Sequence, residues 1–164
     1  MRHPAATSWP GRKSPRRIVA QARRRDETVA VIVLDFDDFK TVNDRDGHAA
    51  GDAALARFTA QVDHRLPPSA VFGRLGGDEF VVILSGYDEP AAKLLADSLV
   101  DGHSVAVSYG VAAGHPVSDS PALLFDVADA DLYRRKRSRK GVRPASSPAG
   151  TRHRRTSTHN APSS

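Results

Sequence analysis

The chain has 164 residues, 40% of them hydrophobic, with no cysteine and a formal net charge of +5. That length allows one ordinary domain with a real core, and the lack of thiols excludes disulfides and cysteine metal centres. No apolar run reaches the ~20 residues of a membrane span, and MRHPAATSWPGRK has no signal-peptide-like apolar stretch, so a soluble cytoplasmic protein is expected.

In chain order, residues 1–25 form a basic N-terminal segment in which SPRRIVAQARRR can make a short helix. TVAVIVLDF is a continuous β-branched and aliphatic run, as a strand buried on both faces requires. DDFKTVND opens with acids, as helix N-termini prefer, and reads as a short helix. In HAAGDAALARFTAQVDHRL, the helical spacing of Leu55, Phe58, Val62 and Leu66 predicts a second helix. AVFGRL and FVVILS flank Gly76-Gly77 as hairpin strands. EPAAKLLADSLV is an amphipathic helix with proline near its start, SVAVSYGVAAG a strand, and SPALLFDVADADLYRRK a final helix. The predicted order is βααββαβα over residues 26–140, an α/β domain with one sheet covered by helices. Residues 141–164 are rich in Ser, Pro, Thr and Arg and read as a disordered basic tail.

Charge is sharply partitioned. All 19 acids lie within residues 26–131 with only six of the 24 bases, so that segment carries −13 between two basic ends. Basic ends suit weak contact with nucleic acid or an anionic surface, although a solvated tail is the blander reading.

Two acid clusters carry the candidate chemistry. Asp35 ends the buried strand, followed by Asp37 and Asp38, and Asp78 and Glu79 sit at the hairpin turn. Either cluster alone reads as turn and cap residues. If the hairpin neighbours the VIVLD strand, the two sets converge, and hard oxygen ligands of this kind suit Mg²⁺ bound with substrate phosphates. Gly76 and Gly77 let the backbone approach a nucleotide closely, and N–H groups opening DDFK can cradle phosphates.

GRLGGDEFVVIL resembles the signature turn of the diguanylate cyclase, or GGDEF, domain family. VIVLDFDDFKTVNDRDGHAAGDAAL follows the family pattern in register, VAVSYGVA is similar to its late strand, and ADADLYRRK to its last helix. TSWPGR, Thr7 to Arg12, weakly resembles the family's opening segment. The resemblance implies a single nucleotidyl-cyclase, palm-like domain with a mainly antiparallel central sheet. It further implies condensation of two GTP molecules into cyclic diguanylate, dependent on Mg²⁺ or Mn²⁺, at the interface of a homodimer. By the same resemblance Asp35, the Phe36 carbonyl, Asp78 and Glu79 hold the metals, and Asp78 or Glu79 helps take the 3′-hydroxyl proton. Asn43 and Asp52 read guanine. Asp38, Phe39 and Lys40 supply backbone N–H groups to the β- and γ-phosphates, Gly76 and Gly77 line the nucleotide, and Lys136 adds a point charge.

Read without the family pattern, Asn43 ends a short helix, Asp52 starts the next, His48 packs or caps, and Trp9 and Phe36 are packing residues. Several positions depart from the pattern. Lys140 stands in the place of a phosphate-binding arginine and lacks its bidentate fork, and Asp131 and Arg135 replace small residues. Pro67 and Ala70 replace the Arg-x-x-Asp feedback site, so product inhibition is not expected. The alternative within the family is a degenerate domain that binds GTP or a partner without turnover. VIVLDFDDF also resembles the start of haloacid-dehalogenase-like phosphatases, but the GGDEF acids sit in a hairpin rather than at a distant strand end. A third reading makes the basic ends the function, as a nucleic-acid or membrane-surface adaptor.

Overall fold

The computed structural model describes residues 14–141; expectations for Trp9, for Thr7 to Arg12 and for the tail lie outside them. Helix α1 (Pro15–Arg25) starts on a proline, whose fixed φ suits a first helical position. It buries Ile18, Val19 and Ala22 and turns its arginines outward. Strand β1 (Val29–Phe36) follows, then α2 (Phe39–Asp46) and α3 (His48–Arg65). The hairpin β2 (Val71–Gly76) and β3 (Glu79–Ser85) leads to α4 (Glu89–Val100), β4 (Val107–Gly114) and α5 (Pro121–Gly141). The sheet order is β2-β3-β1-β4, and every neighbouring pair is antiparallel.

The period-2 alternation of strands sorts β1 onto two cores. Ala30, Ile32, Leu34 and Phe36 join Leu55, Phe58 and Val62 of α3 and Ala92, Ala96 and Leu99 of α4. Val29, Val31 and Val33 face Ile18 and Ala22 of α1 and Leu124, Ala128 and Leu132 of α5. Burial on both faces therefore comes from two helical layers, which explains the unbroken apolar run. Each fully buried residue such as Ile32 or Leu34 contributes roughly 1.5–3 kcal/mol. Among the described residues no helix is long and apolar enough to cross a membrane.

Gly110 sets how closely α5 can lie. A Cβ there would collide with the Ala128 carbonyl and the Leu132 backbone, so only glycine admits this seam. The close approach carries the C-terminal half of α5 past the end of β1, toward Asp35.

Four local readings change. Helix α2 starts at Phe39 with no acid in its first turn, because the Asp37 amide donates to the Ala106 carbonyl (2.8 Å) and extends the sheet edge. Asp38 then takes a left-handed conformation (φ 53°) and its side chain does not cap the helix. Helix α3 starts at His48 after Gly47 (φ 83°), so Asp52 sits in its second turn, and His48 is exposed rather than packed. Asn43 lies inside α2 rather than at its end, with three helical residues after it, and its carbonyl accepts from the Gly47 amide (2.9 Å).

Candidate active site

Hydrogen-bond register brings the two acid clusters together. Asp35 is the direct partner of Glu79 across β1 and β3, and the Phe36 amide donates to the Asp78 carbonyl (3.4 Å). The turn between the strands needs glycine: Gly76 has φ 154° and Gly77 φ 56°. Arg74 braces it, donating through Nε to the Gly77 carbonyl (2.8 Å).

Asp35 is four-fifths buried. Burial raises its pKa, the Lys136 ammonium opposes that shift, and the like charges of Asp78 and Asp37 add to it; the net result is above the ordinary carboxylate value. Lys136 Nζ donates to Asp35 Oδ1 and to the Phe36 carbonyl (3.2 Å), and lies 3.7 Å from Asp37. Asp37 also accepts from the Ser108 hydroxyl (2.8 Å) and from Arg139 Nη1 (3.0 Å).

Among the described residues no three acidic, histidine or cysteine side chains are gathered as a ready-made metal cage. The donor chemistry nonetheless fits a hard divalent cation. The Asp35 carboxylate and Phe36 carbonyl already share one cation, the Lys136 ammonium, with Asp78 and Glu79 adjoining. Asn43 lies against Gly51, where any Cβ would strike its Oδ1, so it stands beside the residue preceding Asp52. Asp52 is exposed on α3, related to Asn43 on α2 only through its neighbour Gly51. Phe39 and Lys40 open α2 immediately after the acidic strand end, and Lys40 Nζ pairs with Asp44 (2.6 Å) on the surface. The side chain of Lys140 is not described.

The family description "Diguanylate cyclase, GGDEF domain" matches residues 14–141. This chain belongs to the GGDEF domain family. The diguanylate cyclase TpbB of Pseudomonas aeruginosa is 36% identical over 160 residues, covering 86% of this chain and 36% of that protein. The diguanylate cyclase DgcS of Shewanella oneidensis is 36% identical over 134 residues, covering 77% of this chain and 45% of that protein. The chain thus spans between a third and a half of the length of these two relatives. The solved GGDEF domain of TpbB from Pseudomonas aeruginosa superposes with a TM-score of 0.65 at 34% identity, covering 74% of this chain and 84% of that one.

Sequence reasoning missed two features of this GGDEF domain. The first is the Asp37–Ser108–Arg139 cluster beside the acidic strand end; its signal was only the middle acid of DFDD and one base among many. The second is a chain of contacts along β4. Asp131 accepts from the Val111 amide (3.2 Å), Arg135 Nε (3.1 Å) and Arg134 (3.2 Å). Arg135 lies 4.5 Å over the Tyr109 ring, and the Tyr109 hydroxyl donates to Asp97 (2.5 Å). β4 is an edge strand, so Asp131 satisfies a backbone N–H that pairs with no neighbouring strand.

Proposed function

We propose that this GGDEF domain is a diguanylate cyclase that condenses two GTP molecules, one on each of two facing domains, into cyclic diguanylate and two pyrophosphates. The observation that carries this is the register of Asp35 with Glu79, with Asp78 adjoining, in a domain of this family. Asp35, the Phe36 carbonyl, Asp78 and Glu79 would hold Mg²⁺ or Mn²⁺. When bound, the ion stabilises charge on the α-phosphate and favours ionisation of the attacking 3′-hydroxyl.

The chain's own groups supply the rest. Asn43 and Asp52 offer an amide and a carboxylate, a set that matches guanine's O6 acceptor and its N1–H and N2–H donors. The amides of Asp38, just before α2, and of Phe39 and Lys40, which open it, bind the β- and γ-phosphates at a helix N-terminus. Lys136 and Lys140 add positive charge beside them. Asp78 or Glu79 receives the 3′-hydroxyl proton. Each 3′-oxygen attacks the α-phosphorus of the facing nucleotide, so a homodimer is required for turnover.

We also propose that product does not inhibit through an Arg-x-x-Asp site. Pro67 and Ala70 lie in the turn between α3 and β2, where the Ala70 amide donates to the Pro67 carbonyl (2.9 Å). The nearby arginines are engaged elsewhere: Arg65 binds the Ser98 and Asp101 carbonyls at the end of α4, and Arg74 binds Gly77. Calorimetry with cyclic diguanylate should show no tight site that survives Asp35→Ala; a micromolar site lost in Arg65→Ala or Arg74→Ala would overturn this.

Incubating the purified chain with GTP and Mg²⁺ tests the main proposal. Cyclic diguanylate is the expected product. Inorganic phosphate without cyclic dinucleotide, or nucleotide binding with no product at protein concentrations that form dimers, would overturn it.

A further inference from the structure

The Lys136 ammonium lies where a cation bound to the acidic strand end would lie. It contacts one carboxylate oxygen of Asp35 and the Phe36 carbonyl, and stands 3.7 Å from Asp37. Its side chain is only 25% exposed, so this is not a solvent-screened surface pair. The pairing spans a hundred residues of sequence and is delivered by the rigid α5–β4 seam at Gly110.

We propose that Lys136 occupies two alternative stations: it neutralises Asp35 in the nucleotide-free domain and moves to the substrate phosphates when a metal–nucleotide enters. This rests on the cyclase reading for its second station, whereas the first stands on the geometry alone. A divalent ion arriving by itself must displace the ammonium from Asp35 and Phe36 and leave it only the more distant Asp37, which Arg139 and Ser108 already engage. An ion arriving with a triphosphate brings a new partner for the ammonium, so the displacement is compensated. Metal and nucleotide therefore bind with positive coupling, and Asp35 is kept from collecting free divalent cations between turnovers.

Arg139 plays a lesser part. It binds Asp37 and Ser108 at the same strand end, but its side chain is 65% exposed and makes no contact with Asp35 in the structure. Its removal should change metal affinity little.

The test measures free Mn²⁺ by its paramagnetic resonance signal, at pH 8 and without nucleotide, on the full chain. Wild type should bind Mn²⁺ weakly. Lys136→Met should bind it about tenfold more tightly, because the competing cation and its displacement cost are both gone. Lys136→Arg should stay near wild type, and Arg139→Gln should shift affinity by less than about threefold. Adding Asp35→Asn to Lys136→Met should abolish the gain and locate the ion. In a second arm, a non-hydrolysable GTP analogue should tighten Mn²⁺ binding to wild type much more than to Lys136→Met.

Unchanged or weaker Mn²⁺ binding by folded Lys136→Met overturns the first station, with circular dichroism reporting the fold. Equal coupling in wild type and Lys136→Met overturns the second. A wild type that binds no GTP analogue at all overturns the cyclase reading and the second station, while the metal-only comparison still decides the first.

Discussion

Asp35 and Asp131 have side chains of equal exposure, 19% each, yet their acidities move in opposite directions. At Asp35 burial raises the pKa, and one lysine cannot cancel burial plus the charges of Asp78 and Asp37. At Asp131 burial also pushes upward, but the Val111 amide, Arg135 and Arg134 together outweigh it, and the net shift is downward. The difference lies in both surroundings and neighbours: Asp35 is the more deeply enclosed of the two and sits among like charges, whereas Asp131 is met by three donors. Asp131 holds an edge strand to α5 and has every partner it needs. Asp35 is crowded with like charge in the free protein, a disposition that suits a cation-binding group and costs stability.

The largest effect that sharpens this contrast is on turnover. Asp78→Ala should lower cyclic diguanylate production by about a thousandfold, as loss of several kcal/mol of metal-dependent stabilisation requires. Its melting temperature should not fall, because a like charge beside Asp35 has been removed; retention of most Mg²⁺-dependent activity would break the assignment. Asp131→Ala should do the reverse. Urea unfolding should show a loss of about 1–2 kcal/mol, since the Val111 amide and two arginines lose their acceptor, with turnover within about threefold of wild type.

Acid titration separates the two carboxylates by sign. The folded pKa of Asp131 is lowered, so its stabilisation is fully present above the ordinary value of 3.8 and is lost as pH falls through the folded value. The stability gap between wild type and Asp131→Asn should therefore close in acid. The folded pKa of Asp35 is raised, so its charge destabilises at neutral pH, and that penalty disappears as pH falls through the raised value toward 3.8. Asp35→Asn should be at least as stable as wild type near neutrality and converge with it in acid. Denaturant midpoints measured from pH 7 to pH 3 would read both; gaps of the same sign would break the comparison. The smallest effect concerns residues 142–164. Their deletion should move the melting temperature by less than about 1 °C, because the segment offers almost no large apolar side chain to anchor it.

Sequence alone was enough for the elements and for the family. Unbroken aliphatic runs, helical spacing of Leu55, Phe58 and Val62, and the glycines at 76 and 77 are local signals, and all of them correspond to elements of the fold. The start of α2 was misread because acids before a helix usually cap it, whereas here the Asp37 amide is claimed by Ala106, a residue far along the chain. The Lys136–Asp35 pair, the Arg139–Asp37 pair and the Asp131 network could not be read in one dimension. Each depends on how closely α5 settles on β4, and that distance is set by the absence of a Cβ at Gly110. Side-chain chemistry and periodicity are written locally; which charges meet is decided by packing, because a coulombic partner is chosen by distance in space and not by separation along the chain.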